Sequence, residues 1–500
     1  MFEIWHSDLA ARIGKLQTLH GVVETPAFVP VVHPVRQTVS TQFLKKIGFD
    51  LVITNAYITL RHYGDEARRR GIHDIINYDG AVMTDSGGYQ VLEYGSVEVE
   101  PAIMAQFEND IKSDMPIPLD RPTGYGLEYE KAKECVAITL KNALESLPIA
   151  GNTGAIWVAP VQGAEHFDLV EYSARELDTM GFEMMALGSP VELMETYQFA
   201  TLARMIASTK RVIPAKPIHL FGAGHPLTIP LAIALGCDTF DSASYMLYAK
   251  DNRYMTPNGT IRIDELAYLS CQCPVCSSHT VQELHKMEVS KRTIEIAKHN
   301  LHILKAEVEA VKQAIIDGRL WEYVMQKARA HPKLMEAAQI FKDVEMLEEG
   351  TPIFKEKAIF FYDPIDQHRP EAKRFRKIVA TFRLSNKKKL ILHPEDEIHP
   401  FYCTTSYKDI VKKFPDAQVC SYSPFLGIIP AEISDVFPAS HNLATRSGHR
   451  LEDYPTFIES LKSFAGKFEK IVVISPDDFI KEATKAARLN ARLVDDVSAL

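Results

Sequence analysis

The sequence predicts an α/β chain: a (β/α)8 TIM barrel carrying an inserted cysteine-rich subdomain, followed by a smaller α/β (α+β) C-terminal domain. Three observations carry this. Short apolar runs alternate with helix-compatible segments through the first 250 residues. The polar residues of that repeat fall at the C-terminal ends of the runs, where a barrel builds its site from the loops that follow. After a cysteine cluster and a charged helical stretch, strand and helix patterns resume.

Eight candidate strands come in order: "TPAFVPVV" (25–32), "DLVITNAY" (50–57), "AVMTDSGG" (81–88), "MPIPLD" (115–120), "AIWVAPVQG" (155–163), "EMMALGSP" (183–190), "PIHLFGAG" (217–224) and "DTFDSAS" (238–244). Between them "SVEVEPAIMAQFENDIK", "GLEYEKAKECVAITLKNALES", "AEHFDLVEYSARELDTMG" and "VELMETYQFATLARMIAST" read as helices. A doubly wound open sheet is the alternative, but no G-x-G-x-x-G turn supports a dinucleotide form of it. From about 283 to 347 the chain turns helical, with Ala297, Leu301, Leu304, Val308, Val311 and Ile315 forming one apolar stripe. "EEGTPIFKEK" breaks that period and marks a boundary. The barrel domain is therefore set at 1–345, its metal subdomain at about 265–320, and the accessory domain at 346–500, where "AIFFYDP", "KKKLILHP" and "KIVVISPDD" read as strands.

Composition narrows the class. Hydrophobic residues at 46% and charged residues at 24% describe an ordinary globular chain. No apolar run reaches the roughly 20 residues of a membrane helix, and "MFEIWHSDLAARIGKLQ" is not a signal peptide, so a cytoplasmic protein is expected. A net charge of -9 excludes a globally basic nucleic-acid coat, though not a local basic face. Seven cysteines are too few for a disulfide framework, and Cys135, Cys237, Cys403 and Cys420 read as small buried hydrophobes.

The other three converge. Cys271, Cys273 and Cys276 in "CQCPVC", with His299 downstream, give C-x-C-x2-C-x22-H. Close thiolates and a helical imidazole suit one tetrahedral zinc ion, structural because four protein ligands leave no open position. His279, His285 and His302 compete as fourth ligand. Among the strand ends, Asp85 lies in "MTDSGGYQ" beside Tyr89, whose ring could lie on a flat heterocycle. Asp120 ends "PIPLD", Gln162 offers an amide edge, Gly188 and Gly222 follow further strands, and Asp241 ends the eighth. Paired carboxylates at strand ends suit glycosyl chemistry, one attacking an anomeric carbon while the other moves a proton. A sugar glycosidase and a nucleoside enzyme both remain open on these residues alone.

Longer motifs decide between them. "FDSASYMLYAKDNRYMTPNGT", "MTDSGGYQ", "VQG" and "CQCPVC" with its downstream histidine resemble the archaeal branch of the tRNA-guanine transglycosylases. The resemblance is dense over residues 1 to about 320 and thinner through "YSPFLGIIPAEISDVFP". "SASYMLYAKDNRYMT" stands where the bacterial and eukaryotic branches carry a different run, typically with Pro-Thr-Arg. The resemblance implies exchange of guanine at position 15 of the tRNA D-arm for free 7-cyano-7-deazaguanine, the first step toward archaeosine, without cleavage of the phosphodiester chain. It implies Asp241 as nucleophile on the ribose C1′ and Asp85 as general acid/base. Asp120, Gln162 and the backbone at Gly188 would read the base edge, with Tyr89 stacked on the base and Phe221 on its other face. It places zinc on Cys271, Cys273, Cys276 and His299, and implies a homodimer. A non-catalytic tRNA-binding paralogue and a queuine-type enzyme acting at position 34 are the alternatives.

Other features read more plainly. "ARRRG" (67–71) suits a solvated helix end over a phosphate contact, and "AKRFRK" and "NKKK" suit a solvated face over an RNA groove. "HLFGAGHP" suits a tight turn as well as a phosphate cradle. Many archaeal relatives continue into a small RNA-binding domain of the PUA type. No such domain is recognised here, so either the barrel and residues 350–500 bind the tRNA, or a separate PUA-containing or archaeosine-pathway subunit supplies the module.

Overall fold

The apolar runs become parallel strands in the computed structural model, which describes residues 2–88, 99–151, 154–383, 387–395, 398–446 and 448–496. Two compact units divide the chain: Met1–Ile316 with Leu320–Ile340, and Asp317–Arg319 with Phe341–Leu500.

The first unit opens with an antiparallel meander, β1 (Phe2–Asp8), β2 (Ala11–Thr18) and β3 (Gly21–Thr25). Gly14 is required there, because a Cβ would lie 2.2 Å from the Glu3 carbonyl oxygen. The repeat follows as β4 (Ala27–Pro30), β5 (Leu51–Asn55), β6 (Ala81–Asp85), β7 (Met115–Pro116), β8 (Val158–Val161), β9 (Met184–Leu187), β10 (Ile218–Leu220) and β11 (Thr239–Ser242). These form two parallel sheets, ordered β4-β11-β10-β9-β8 and β5-β6-β7. A parallel bridge between Val31 and Ile53, with Val32 N–H donating to the Ile53 carbonyl at 2.7 Å, joins β4 to β5. Ile156 N–H donates to the Asp114 carbonyl at 2.9 Å, joining the approaches to β7 and β8. Every strand is shorter than its apolar run. β7 is the extreme case, since Pro116 and Pro118 have no N–H to give to a ladder.

One buried cluster collects Val29, Leu51, Ile53, Ala81, Met83, Met115, Val158, Met184 and Ala186 from these strands, together with Leu16 and Val23 of the meander. The two-residue period of a strand selects them, and each large side chain so buried contributes about 1.5–3 kcal/mol. At the N-terminal ends of β6 and β7, Asp114 ties the meander down. Its carboxylate accepts His20 N–H (2.8 Å) and Val82 N–H (2.9 Å), and contacts His20 Nδ1 (3.0 Å) and His73 Nε2 (2.9 Å). Burial alone would raise this carboxyl; the bonds from His73, Val82 and His20 outweigh it and hold the group below its ordinary range.

The segment 191–212 is two helices, Val191–Glu195 and Phe199–Val212, rather than the single one its periodicity predicts. Beyond β11 come a short helix Ser244–Lys250, the hairpin β12 (Arg253–Thr256) and β13 (Gly259–Arg262), the cysteine segment and the long helix Val289–Ile316. The predicted stripe Ala297, Leu301, Leu304, Val308, Val311 and Ile315 is its buried face. "ARRRG" is a helix end: Arg70 bridges Glu66 (2.7 Å) and Asp74 (2.5 Å), and Arg68 pairs with Asp110.

In the second unit, β14 (Ile359–Phe361), β15 (Lys389–Pro394), β16 (Ala417–Ser423), β17 (Gly427–Pro430), β18 (Asn442–Ala444), β19 (Lys470–Ile474) and β20 (Ala491–Val494) form a sheet ordered β17-β16-β15-β19-β20 and the pair β14-β18. Phe361, Phe375, Phe425, Tyr454 and Phe457 lie in its core. "AKRFRK" is not a freely solvated face. Arg374 donates to the carbonyls of Pro352, Glu348 and Thr351, and Arg376 to those of Phe425 and Gln367. Cys237 and Cys420 are buried as expected, whereas Cys135 is half-buried and Cys403 exposed. No helix among the described residues is long and apolar enough to cross a membrane.

Candidate active site and metal cluster

Parallel strands deliver side chains in register to one end. On β10 and β11, His219 pairs with Thr239, so the two-residue period puts His219, Thr239 and Asp241 on the same face. His219 Nδ1 meets Thr239 Oγ1 at 2.9 Å, and His219 Nε2 meets Asp241 Oδ1 at 3.1 Å. An ionised carboxylate can only accept, so Nε2–H donates to Asp241, and in the neutral ring Nδ1 is then free to accept from the threonine hydroxyl. Gly222 N–H donates to the same Oδ1 at 3.0 Å. Among the described residues, no hydrogen-bond partner faces Oδ2.

Asp85 ends β6 beside it. Its two oxygens accept Asn55 Nδ2–H (3.0 Å) and Gly87 N–H (3.1 Å). Burial raises its pKa to about 6, with the charge of Asp241 adding to the rise and the two donors opposing it. Asp120 follows β7. Burial raises it to about 7, the Asp85 charge helping and the Gln162 bond opposing. Buried carboxyls crowded in this way hold protons near neutral pH.

Gln162 is fully buried and fixed by its partners. Its Oε1 accepts from Thr123 N–H, Thr123 Oγ1 and Ser189 Oγ, each at 3.1 Å, which leaves its Nε2 to donate to Asp120 Oδ2 at 2.6 Å. Two glycines press against this pair. A Cβ on Gly88 would lie 1.7 Å from Asp120 Oδ1, and one on Gly188 would lie 2.1 Å from Gln162 Nε2.

Asp85, Asp120, Gln162, Gly188, Phe221, Gly222 and Asp241 all line one cavity of about 790 Å3, and Asn55 and Ser189 join them. The structure thus gathers every described residue that the sequence singled out for this chemistry. Tyr89 lies outside the described residues. Sequence reasoning passed over Asn55, Thr123, Ser189 and His219. Asn55 ends its strand just as Asp85 does, and His219 shares the parity of Asp241 across one register pair, so both carried a readable signal.

The cysteines form a second, separate constellation. Cys271, Cys273, Cys276 and His299 offer ligand atoms all within 4.8 Å of one another and can hold a metal ion. His299 Nε2 is 2.8 Å from the Met255 carbonyl, which directs Nδ1 toward the thiols; Nδ1 lies 3.5 Å from Cys273 Sγ and 3.4 Å from Cys276 Sγ. Tyr254 stacks on the imidazole at 3.6 Å and its hydroxyl meets Cys276 Sγ at 3.1 Å. Such outer partners orient metal ligands. The competing histidines are elsewhere: His285 meets the Ile263 carbonyl (2.5 Å), His302 faces the edge of Phe43, and His279 is outside the group.

Comparison with known proteins matches this arrangement to one family. The family model described as queuine tRNA-ribosyltransferase matches residues 7–333. This chain belongs to that family. Curated relatives agree. The tRNA-guanine(15) transglycosylase of Aeropyrum pernix is 41% identical over 450 residues, 88% of this chain and 86% of the relative. Proteins of the same name from Sulfolobus acidocaldarius and Methanosarcina barkeri are each 39% identical, the first over 87% of both chains and the second over 95% of this chain and 92% of its own. The family match spans both the carboxylate cavity and the cysteine cluster, and ends before Phe341, from which the main part of the second unit runs.

Proposed function

We propose that this chain exchanges a guanine in tRNA, at position 15 of the D-arm, for free 7-cyano-7-deazaguanine through a covalent Asp241–ribose intermediate. One observation supports the reading above all others: two carboxylates, Asp241 and Asp85, share a cavity in which the described residues anchor Asp241 through one oxygen only. The names of the relatives supply the substrate class and the position.

Chemically, Oδ2 of Asp241 attacks C1′ as the glycosidic bond breaks, and its charge stabilises the oxocarbenium-like transition state. Asp85, with a pKa of about 6, donates a proton to the departing guanine and takes the N9 proton of the incoming base. A second displacement at C1′ returns the ribose to its starting configuration. Asp120 and the Nε2 of Gln162 face the base edge, with Phe221 in the wall and Tyr89 assigned by motif. Zinc held by Cys271, Cys273, Cys276 and His299, none of which lines the cavity, would tie the segment after β13 to the long helix.

The fold reading that goes with this is a closed barrel. The bridges between β4 and β5, and between the approaches to β7 and β8, support treating the two sheets as arcs of one (β/α)8 ring, with residues beyond about 345 as an accessory domain. A homodimer, and a separate RNA-binding subunit, are the partners this reading expects.

The test is trapping. Incubated with tRNA and quenched in denaturant, the protein gives an RNA–protein adduct on gels, and labelled guanine enters tRNA at position 15. Asp241→Asn abolishes both while tRNA affinity stays within a few fold. An adduct formed by Asp241→Asn removes that residue from the nucleophile's role. Label appearing at position 34 moves the chain to the queuine-type reading.

A further inference from the structure

The break between helices Val191–Glu195 and Phe199–Val212 has no glycine or proline to account for it. Its centre is Tyr197, held at φ 59°. In that left-handed region a Cβ crowds the next carbonyl, which glycine avoids and asparagine tolerates, whereas an aromatic residue sits there under strain. Strain of this kind persists where the surroundings enforce it, and it collects at ligand sites. Burial does not explain the ring, because Tyr197 is 54% exposed.

What surrounds it does. Tyr197 lines the same cavity as Asp85 and Asp241. Its ring lies parallel to His331, centroids 4.9 Å and planes 6° apart, and Phe199 sits edge-on to both, at 5.8 and 6.1 Å. Two supporting rings therefore fix the tyrosine's plane while leaving it half exposed. Tyr248 and Arg253 line the cavity as well. Arg253 is part-exposed, with Nε on Asp251 at 2.7 Å.

A cavity of about 790 Å3 is several times larger than one bicyclic base needs. When a base is drawn out of folded RNA, its neighbours lose stacking too, and proteins that hold single-stranded RNA restore it with aromatic faces interleaved with cations. We propose that Tyr197 is the stacking platform for a nucleobase flanking the exchanged nucleotide, with Arg253 placed for an adjoining phosphate. The proposal rests on reading the cavity as a tRNA base-exchange site.

Tyr197→Asn tests it, because asparagine suits the left-handed backbone and removes only the ring. The expected result is a rise of about 10-fold in KM for tRNA, with KM for free guanine and the rate at saturating tRNA unchanged. Tyr197→Phe restores the wild-type KM. Independently, 2-aminopurine placed beside the target position is quenched on binding to the wild type and to Tyr197→Phe, and not on binding to Tyr197→Asn. A wild-type KM for tRNA together with unaltered quenching in Tyr197→Asn overturns the platform. So does a lowered Tm with a raised KM for guanine, which assigns Tyr197 to the fold. If the wild type exchanges no base, the reading of the cavity fails, while the quenching experiment still decides the stacking.

Discussion

Gly188→Ala is the smallest change that tests the base-edge geometry. Gly188 is not in the left-handed region that favours glycine, so the added methyl acts by its bulk. It would lie 2.1 Å from Nε2, 2.6 Å from Cδ and 3.0 Å from Oε1 of Gln162. Gln162 is fully buried and pinned through Oε1 by Thr123 and Ser189, so the amide cannot swing aside without breaking bonds. The contact most directly displaced is the 2.6 Å bond from Nε2 to Asp120. A hydrogen bond to a charged or proton-sharing carboxyl is worth about 1.5–3 kcal/mol, so kcat/KM for the free base should fall by about 10- to 150-fold. Steady-state incorporation of labelled guanine into tRNA, with base and tRNA varied separately, measures it; KM for tRNA should not move. The double variant with Gln162→Ala adds a sharper check. Once the amide is gone the methyl has room, so the two losses should not add. Wild-type kcat/KM in Gly188→Ala, or simple additivity with Gln162→Ala, would refute the reasoning.

Three further outcomes follow from the same geometry. Because Asp85 must be protonated to donate to the departing guanine and ionised to take the incoming base's N9 proton, and its pKa is raised to about 6, exchange should peak near pH 6 and fall on both sides; a rate flat from pH 5 to 7 argues against the role. His219→Phe leaves Asp241 Oδ1 with only the Gly222 N–H, so adduct formation should slow by about 10- to 100-fold with tRNA affinity unchanged, and an unaltered rate would remove His219 as a positioning residue. Cys276→Ser takes away one thiolate and the Tyr254 contact, so metal content and Tm should both fall while the choice of base stays the same; a stable, metal-free, active variant contradicts a structural site.

The parts of the fold that were legible in the sequence are those set by short-range chemistry. The cysteine spacing needs only a turn to converge, and strand-end carboxylates announce themselves because an apolar run stops at them. His299 was singled out among the histidines by the family resemblance, and the structure supplies the physical reason. Three other histidines lie within reach by sequence, and the Met255 carbonyl orients the one that joins the cluster. The meander was not read as strands, because β1 carries exposed Ile4 and Trp5 and so shows no clean alternation. Nor could a left-handed tyrosine be foreseen: the break at Thr196, Tyr197 and Gln198 carries no glycine, proline or asparagine to mark it. The arginines of "AKRFRK" misled for a related reason, since a guanidinium that caps backbone carbonyls looks in sequence like one in water.

The one-sided anchoring of Asp241 bears on how the proposed ester would come apart. If Oδ2 carries the ribose, Oδ1 becomes the ester carbonyl, still gripped by the imidazole and the Gly222 amide. Both donors then draw electron density from the acyl group and ease its departure when the replacement base arrives. A clamp that serves the resting carboxylate would thereby also keep the enzyme from becoming trapped on its own RNA.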